Sequence, residues 1–310
     1  MAQTIVHIGH GKTGSSAIQS FLALNAELLR AFGIEYPWHD SFAAAREGRI
    51  TSGNYDSFYR LEQRPAGMVL FSSEKFCRDV VNRPEFLERL AGIGGQVKII
   101  CYTRDLFDHF LSAYGQLIKR GRGTDSPRAY AERHKIFRVL ARVIDRLEEA
   151  GIALELTNYS RLDGPIEMDF AHRILGAEAA RLLDQAQRVD GAVNRSLTRA
   201  ELALQRLFNE YAAFPTARFI SDALCNALPE IRGERPPLDS ETCNLLIERN
   251  RDAIARINRR LPAGEAIRLE PPADAGSAGG SYVFSEDQLR VLARSVSEEI
   301  AKSRKAGRQT

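Results

Sequence analysis

Hydrophobic and polar positions change period along this chain. Thr4–Ile8 ("TIVHI") is a short apolar run of β character, and from Ser16 Ile18, Phe21, Leu22, Leu28, Leu29 and Phe32 recur at helical spacing. Gly33 suits the position just past that helix. Met68–Phe71 and Val97–Thr103 read as buried strands, Ile152–Thr157 as a further one, and Ile34–Tyr36 as a short strand. Between them Asp105–Arg120 carries Phe107, Phe110, Leu111, Tyr114, Leu117 and Ile118 as one apolar stripe. Residues 128–150 carry a second stripe (Ile136, Phe137, Leu140, Val143, Ile144, Leu147), and Pro165–Leu175 reads as another helix. Strands alternating with helices predict an α/β domain with a central, mainly parallel sheet.

From about residue 180 the pattern is helical. Thr198 and Glu201 form a capping box with Leu197 and Leu202 as a hydrophobic staple, and Ser285 with Gln288 repeats the arrangement. Ser240–Leu261 is one more helix. The chain is read as a single domain, with 1–179 an α/β core and 180–310 helical cladding. A mobile loop is expected over 262–283, rich in Pro, Ala and Gly, and the basic tail "KSRKAGRQT" is read as a solvated end. Residues 33–67 look polar and irregular apart from the short strand, a long connection of the kind that lines a substrate cleft.

Composition narrows the class only coarsely. Hydrophobic residues make up 44% and charged residues 27%, as in soluble globular proteins, and a net charge of +3 is too small to indicate a nucleic-acid partner. Cys77, Cys101, Cys225 and Cys243 are widely separated and show no metal-ligand spacing, so reduced thiols and a cytoplasmic location are expected. No signal-like stretch opens the chain, and no apolar run approaches the roughly 20 residues of a membrane span.

The candidate chemistry begins at "HIGHGKTGSS", His7 to Ser16. Gly11-Lys12-Thr13 evokes a nucleotide P-loop, but the glycine required five residues before Gly11 is Val6, so the register fails. A strand, a glycine-rich turn and a helix start still leave backbone N–H groups converging where the helix dipole favours an anion, and Lys12 adds a full charge. In an open α/β sheet, ligands bind beyond the C-terminal strand ends. The ends here carry the Lys12 loop, Ser72-Ser73-Glu74 and Arg104. Arg104 is suited to gripping a phosphate with paired hydrogen bonds. Ser112 falls eight residues on, opposite the Phe107/Phe110 stripe and near Asp105 and Asp108, either of which could instead pair with Arg104. Glu74 is a candidate general base that could equally pair with Lys75 or Arg78; His7 and His10 are weaker candidates for that role.

"HIGHGKTGSSAIQSFLALN", "VLFSSEKF" and "IICYTRDLFDHFLSAYGQLIKRG" together resemble the three motif regions of the sulfotransferases that use 3′-phosphoadenosine 5′-phosphosulfate (PAPS). The likeness covers roughly residues 4–121, and "LELTNYSRLDGPIEMDFAHRILG" and "VNRSLTRAEL" are more loosely similar to bacterial members. It implies a P-loop-like, three-layer fold and sulfuryl transfer to a hydroxyl or amine of an acceptor such as a glycan or lipid, with no metal required. Gly11, Lys12, Thr13, Gly14, Ser15 and Ser16 would bind the 5′-phosphosulfate, with Lys12 also catalytic. Arg104 and Ser112 would bind the 3′-phosphate, and Glu74 would be the carbohydrate-branch base. Other branches use a histidine near that strand, so the base stays open between them. Arg195 is a candidate to reach the cofactor from the helical half. A P-loop-type ATP-dependent kinase and a non-catalytic nucleotide-binding module are the alternatives. The acceptor and the oligomeric state are left open.

Overall fold

The computed structural model describes residues 3–49, 51–61, 67–93, 95–120, 123–188, 195–273 and 281–306. Five strands, Gln3–His7 (β1), Ile34–Glu35 (β2), Met68–Ser72 (β3), Gln96–Thr103 (β4) and Ala153–Asn158 (β5), pair in the order β2-β3-β1-β4-β5. Every pairing is parallel, with Ile5 opposite Leu70 on one side and Lys98 on the other. In the first half of the chain the helices are Ser15–Leu24 (α1), Ala26–Ala31 (α2), Phe42–Arg46 (α3), Tyr55–Arg60 (α4), Phe76–Asn82 (α5), Pro84–Ile93 (α6), Leu106–Arg120 (α7), Pro127–Arg133 (α8) and Ile136–Glu149 (α9). Ile166–Leu175 (α10), Ala179–Leu183 (α11), Arg199–Tyr211 (α12), Ser221–Ala227 (α13), Ser240–Asn258 (α14) and Glu286–Ala306 (α15) follow. This is a three-layer α/β fold with a largely helical C-terminal half. No described helix is long and apolar enough to cross a membrane.

The chain packs as two compact units, which do not divide at residue 180. The first comprises 1–109, 135–191 and 247–269, and the second 110–134, 192–246 and 270–310. In the first unit the parallel strands present alternate side chains to opposite faces. Ile5, Leu70, Ile100 and Tyr102 pack with Ile18, Phe21 and Leu22 of α1 and Phe170 and Ile174 of α10. Phe71, on the other face, meets the aromatic group of Phe58, Phe76 and Phe86. That group explains why 33–67 is not an irregular connection. It contains α3 and α4, and Phe58 of α4 is fully buried, a packing that a local polar pattern does not disclose.

Two helices are interrupted where one was expected. Asn25 separates α1 from α2, its side-chain amide bonding Phe21 O and Gln187 O. His134, in an extended conformation, separates α8 from α9. Part of the expected loop is held. Glu265 bonds Asn158 N, Ile267 N bonds Asn258 Oδ1, and Arg268 N bonds Asp105 Oδ1. Residues 274–280 of that loop and 307–310 of the basic tail lie outside the described residues.

The second unit is organised around a buried ion pair. Both expected capping boxes form, and Leu197 and Leu202 pack together with Tyr114 and Ile118. Arg195 Nη1 and Nη2 donate to the two Glu201 oxygens at 2.7 and 2.8 Å, and Gln288 adds a donor at 2.7 Å. Burial by itself would push the Glu201 carboxyl up, but the bonds from Arg195, Thr198 N and Gln288 outweigh it and hold the carboxyl below its ordinary value of 4.5. A group with a depressed folded pKa stabilises above the unfolded value and loses that contribution as pH falls through the folded one. Urea unfolding should therefore show Glu201→Ala about 3–5 kcal/mol less stable at pH 7, because it strands the guanidinium. Glu201→Gln should remove part of the stability loss that the parent shows below pH 4.5.

Candidate active site

The strand order fixes where a ligand can sit. From β1 the chain runs toward β2 and β3, and from β4 toward β5, so the connections diverge at the adjacent carboxyl ends of β1 and β4. Such a switch point opens a crevice beyond the strands. Because β3, β1 and β4 are consecutive neighbours, the Glu74, Lys12 and Arg104 segments emerge side by side.

The β1–α1 turn is held by its carbonyl groups. Gly9 O accepts from Cys101 Sγ at 3.5 Å, His10 O from Thr13 Oγ1 at 2.6 Å, Gly11 O from His109 Nε2 at 2.9 Å and Lys12 O from Arg104 Nη1 at 3.2 Å. Across a trans peptide the carbonyl and the following N–H point in opposite directions. Each tether therefore fixes one peptide plane of the turn and, with it, the direction of the N–H of the residue that follows. Lys12, at φ +69°, is the one described non-glycine residue in left-handed backbone, and Gly14 follows at +82°. Successive N–H groups in turned backbone can cradle an anion, and strain of this kind collects at functional sites.

The helix start adds its own donors at the turn. Gly14 is the N-cap of α1 and no side chain caps the helix, so its first amide donors and its dipole are directed at the turn. Ser15 Oγ is buried without a hydrogen-bond partner, as is Arg104 Nε. Buried polar atoms are ordinarily satisfied, so a hydroxyl and a guanidinium donor left over at one turn fit an oxyanion ligand. Thr13 contributes differently, its hydroxyl proton being committed to His10 O.

Arg104 does not pair with the aspartates beside it in sequence. Asp105 instead takes Arg161 at 2.7 Å and Asn158 Nδ2 at 3.0 Å, while the Arg104 guanidinium lies 5.4 Å from the centre of the Tyr159 ring. Tyr159, Arg161 and His109 were not singled out by sequence. Their roles depend on β4 and β5 being neighbours and on α7 returning to the turn, which no local spacing encodes.

Glu74 is exposed and packs directly against the turn. A β-carbon on Gly9 would lie 3.0 Å from Glu74 Cα and Cγ, and one on Gly11 would lie 3.9 Å from Oε2. His7 and His10 are both fully buried. Burial pushes the His7 imidazole down to about 3, so it stays neutral near pH 7, with Nδ1 bonded to Ser72 Oγ at 2.9 Å. Of these three groups only Glu74 is open to a substrate. Ser112 is half-buried on α7 and belongs to the second unit, while Lys12, Gly14, Ser15, Ser16, Glu74 and Arg104 belong to the first. Arg195 is corrected. Its remaining donors go to Leu228 O, Ser196 O and Leu224 O, which with Glu201 leaves the guanidinium no N–H for a cofactor. An arginine in "VNRSL" carries no local sign of this, since its partner lies in the next helix.

No family model, curated protein or solved structure matches the chain.

The turn makes its own prediction. Gly9 has φ +59°, and an added β-carbon would lie 3.0 Å from the Glu74 backbone, so Gly9→Ala meets left-handed strain and a tight contact that Glu74 must give way to relieve. The strain alone costs roughly 1–2 kcal/mol. Thermal unfolding should show a loss at least that large, and hydrogen exchange should quicken in the β1–α1 segment first. Unchanged exchange there would contradict the packing described.

Proposed function

We propose that this chain is a sulfotransferase that moves a sulfuryl group from PAPS to an acceptor hydroxyl or amine. The observation that carries the reading is the carbonyl-tethered turn, with its uncapped helix start, unpartnered Ser15 hydroxyl and adjacent exposed carboxylate. The three resemblance motifs supply the class of anion. The cosubstrate brings an activated sulfuryl group on a 5′-phosphate and carries a separate 3′-phosphate.

Each residue then has a defined task. The amides of the turn, Lys12, Ser15 and Ser16 hold the 5′ end, and Lys12 with the amides stabilises charge on the departing phosphate oxygen. One preorganised donor of this kind is worth about 3 kcal/mol in a transition state. Thr13 and Gly14 set the shape of the turn. Arg104, oriented by Lys12 O and the Tyr159 ring, grips the 3′-phosphate. Ser112 is retained as its partner on the resemblance alone. Glu74 accepts the proton of the acceptor, a contribution typically of about 10²- to 10⁴-fold.

Two variants test these assignments. Arg104→Ala also releases Lys12 O, so both nucleotides should lose affinity, but 3′-phosphoadenosine 5′-phosphate should lose about 10- to 100-fold more than adenosine 5′-phosphate, as removal of a charged hydrogen bond does. Equal loss for both nucleotides would remove Arg104 from the 3′ role. Glu74→Gln should keep the nucleotide affinity and lose about 10²-fold or more of sulfate transfer to the best acceptor of a panel of sugars, phenols and amines. Undiminished transfer would remove Glu74 as the base.

A further inference from the structure

Within the second unit a primary amine is buried against a thiol. Lys119, near the end of α7, is 6% exposed, and its Nζ donates to Cys225 Sγ on α13 at 3.2 Å. Among the described residues this sulfur is the polar partner found for the amine. The nearby carboxylate of Asp222 is engaged by Arg120 at 2.8 Å. Cys225 Sγ in turn donates to Arg195 O at 3.6 Å. Burying an amine against so weak an acceptor is costly, and the contact sets its nitrogen directly against the cysteine sulfur.

The other cysteines set a comparison inside the same chain. Cys77, Cys101 and Cys243 are 3%, 0% and 2% exposed. Burial pushes all three thiols up, that of Cys77 to about 12, which makes them poor nucleophiles. No amine donates to any of them among the described residues. Cys225 is the most exposed of the four and the one set beside a lysine.

We propose that Lys119 and Cys225 form an oxidative modification site, closing a covalent nitrogen–sulfur link between α7 and α13. Hydrogen peroxide from solvent is the co-reactant. The Cys225 sulfur attacks one peroxide oxygen, the O–O bond breaks, and sulfenic acid forms with release of water. Sulfur is oxidised by two electrons and peroxide is reduced. Once the Lys119 ammonium has passed a proton to solvent, its nitrogen lone pair attacks Sγ, the S–O bond breaks, and the hydroxyl leaves as water with a second proton from nitrogen. A sulfenic acid condenses in this way with a backbone nitrogen when one is in reach, and here the side-chain amine is in contact. The link keeps Cys225 from advancing to the irreversible sulfinic acid, and a thiol reverses it by attack on sulfur.

Peptide mass spectrometry on the full chain after graded hydrogen peroxide, digested without reductant, tests this. Expected is a pair of peptides, one containing Lys119 and one Cys225, joined and lighter than their sum by two hydrogen atoms, and separated again by dithiothreitol. Lys119→Met should abolish the joined pair and let Cys225 proceed to sulfinic acid at the same dose. Sulfinic acid at Cys225 in the parent without a joined pair would overturn the proposal. So would a Cys225 left unmodified while the other thiols react, or a joined product carrying an extra oxygen atom.

Discussion

Everything proposed for the site depends on how the β1–α1 turn disposes of its carbonyl groups. Four successive carbonyls are held by Cys101, Thr13, His109 and Arg104, and each bond fixes one peptide plane together with its N–H. A turn of glycines without those tethers would sample many conformations, and ordering it around an anion would cost conformational entropy at the moment of binding. The tethers make the shape of the turn part of the folded state. They also place Arg104 in two roles, since one of its nitrogens fixes the turn while another is left without a partner beside it.

The sheet makes this possible through its order. With β1 between β3 and β4, the residues that follow three different strands meet at one edge, although Glu74 and Arg104 are thirty residues apart and Lys12 sixty-two before Glu74. Close packing of Gly9 against Glu74 explains why the turn begins with glycine, and the buried, neutral state of His7 explains why a histidine at a strand end is structural here. The second unit relies on a different device, the Arg195–Glu201 pair. It is buried among partners that satisfy every arginine donor and belongs to stability rather than to the site.

Much of the fold was legible in the sequence because it rests on local rules. The strand runs "TIVHI" and "VKIICYT", the stripe on Asp105–Arg120 and the two capping boxes each appear within a residue or two of their expected places. What was not legible depends on contacts distant in sequence. Phe58 turns a polar stretch into helix by entering an aromatic group, Asn25 and His134 interrupt stretches that read as single helices, and Glu265–Arg268 is held by Asn158, Asn258 and Asp105. At the site, the residue types converging on the turn could be read from the chain. The partners that orient them, His109, Tyr159 and Arg161, could not, because nothing in their spacing records which strands are neighbours.

The central claim is that the turn and Arg104 together recognise an adenine nucleotide phosphorylated at its 3′ position. Calorimetric titration of the purified chain with 3′-phosphoadenosine 5′-phosphate, ADP and ATP, each with and without magnesium, addresses it directly. The account predicts that the 3′-phosphorylated nucleotide binds most tightly and that magnesium changes its affinity little. Preferential, magnesium-dependent binding of ATP would contradict it and make the turn a phosphate cradle of the kinase kind.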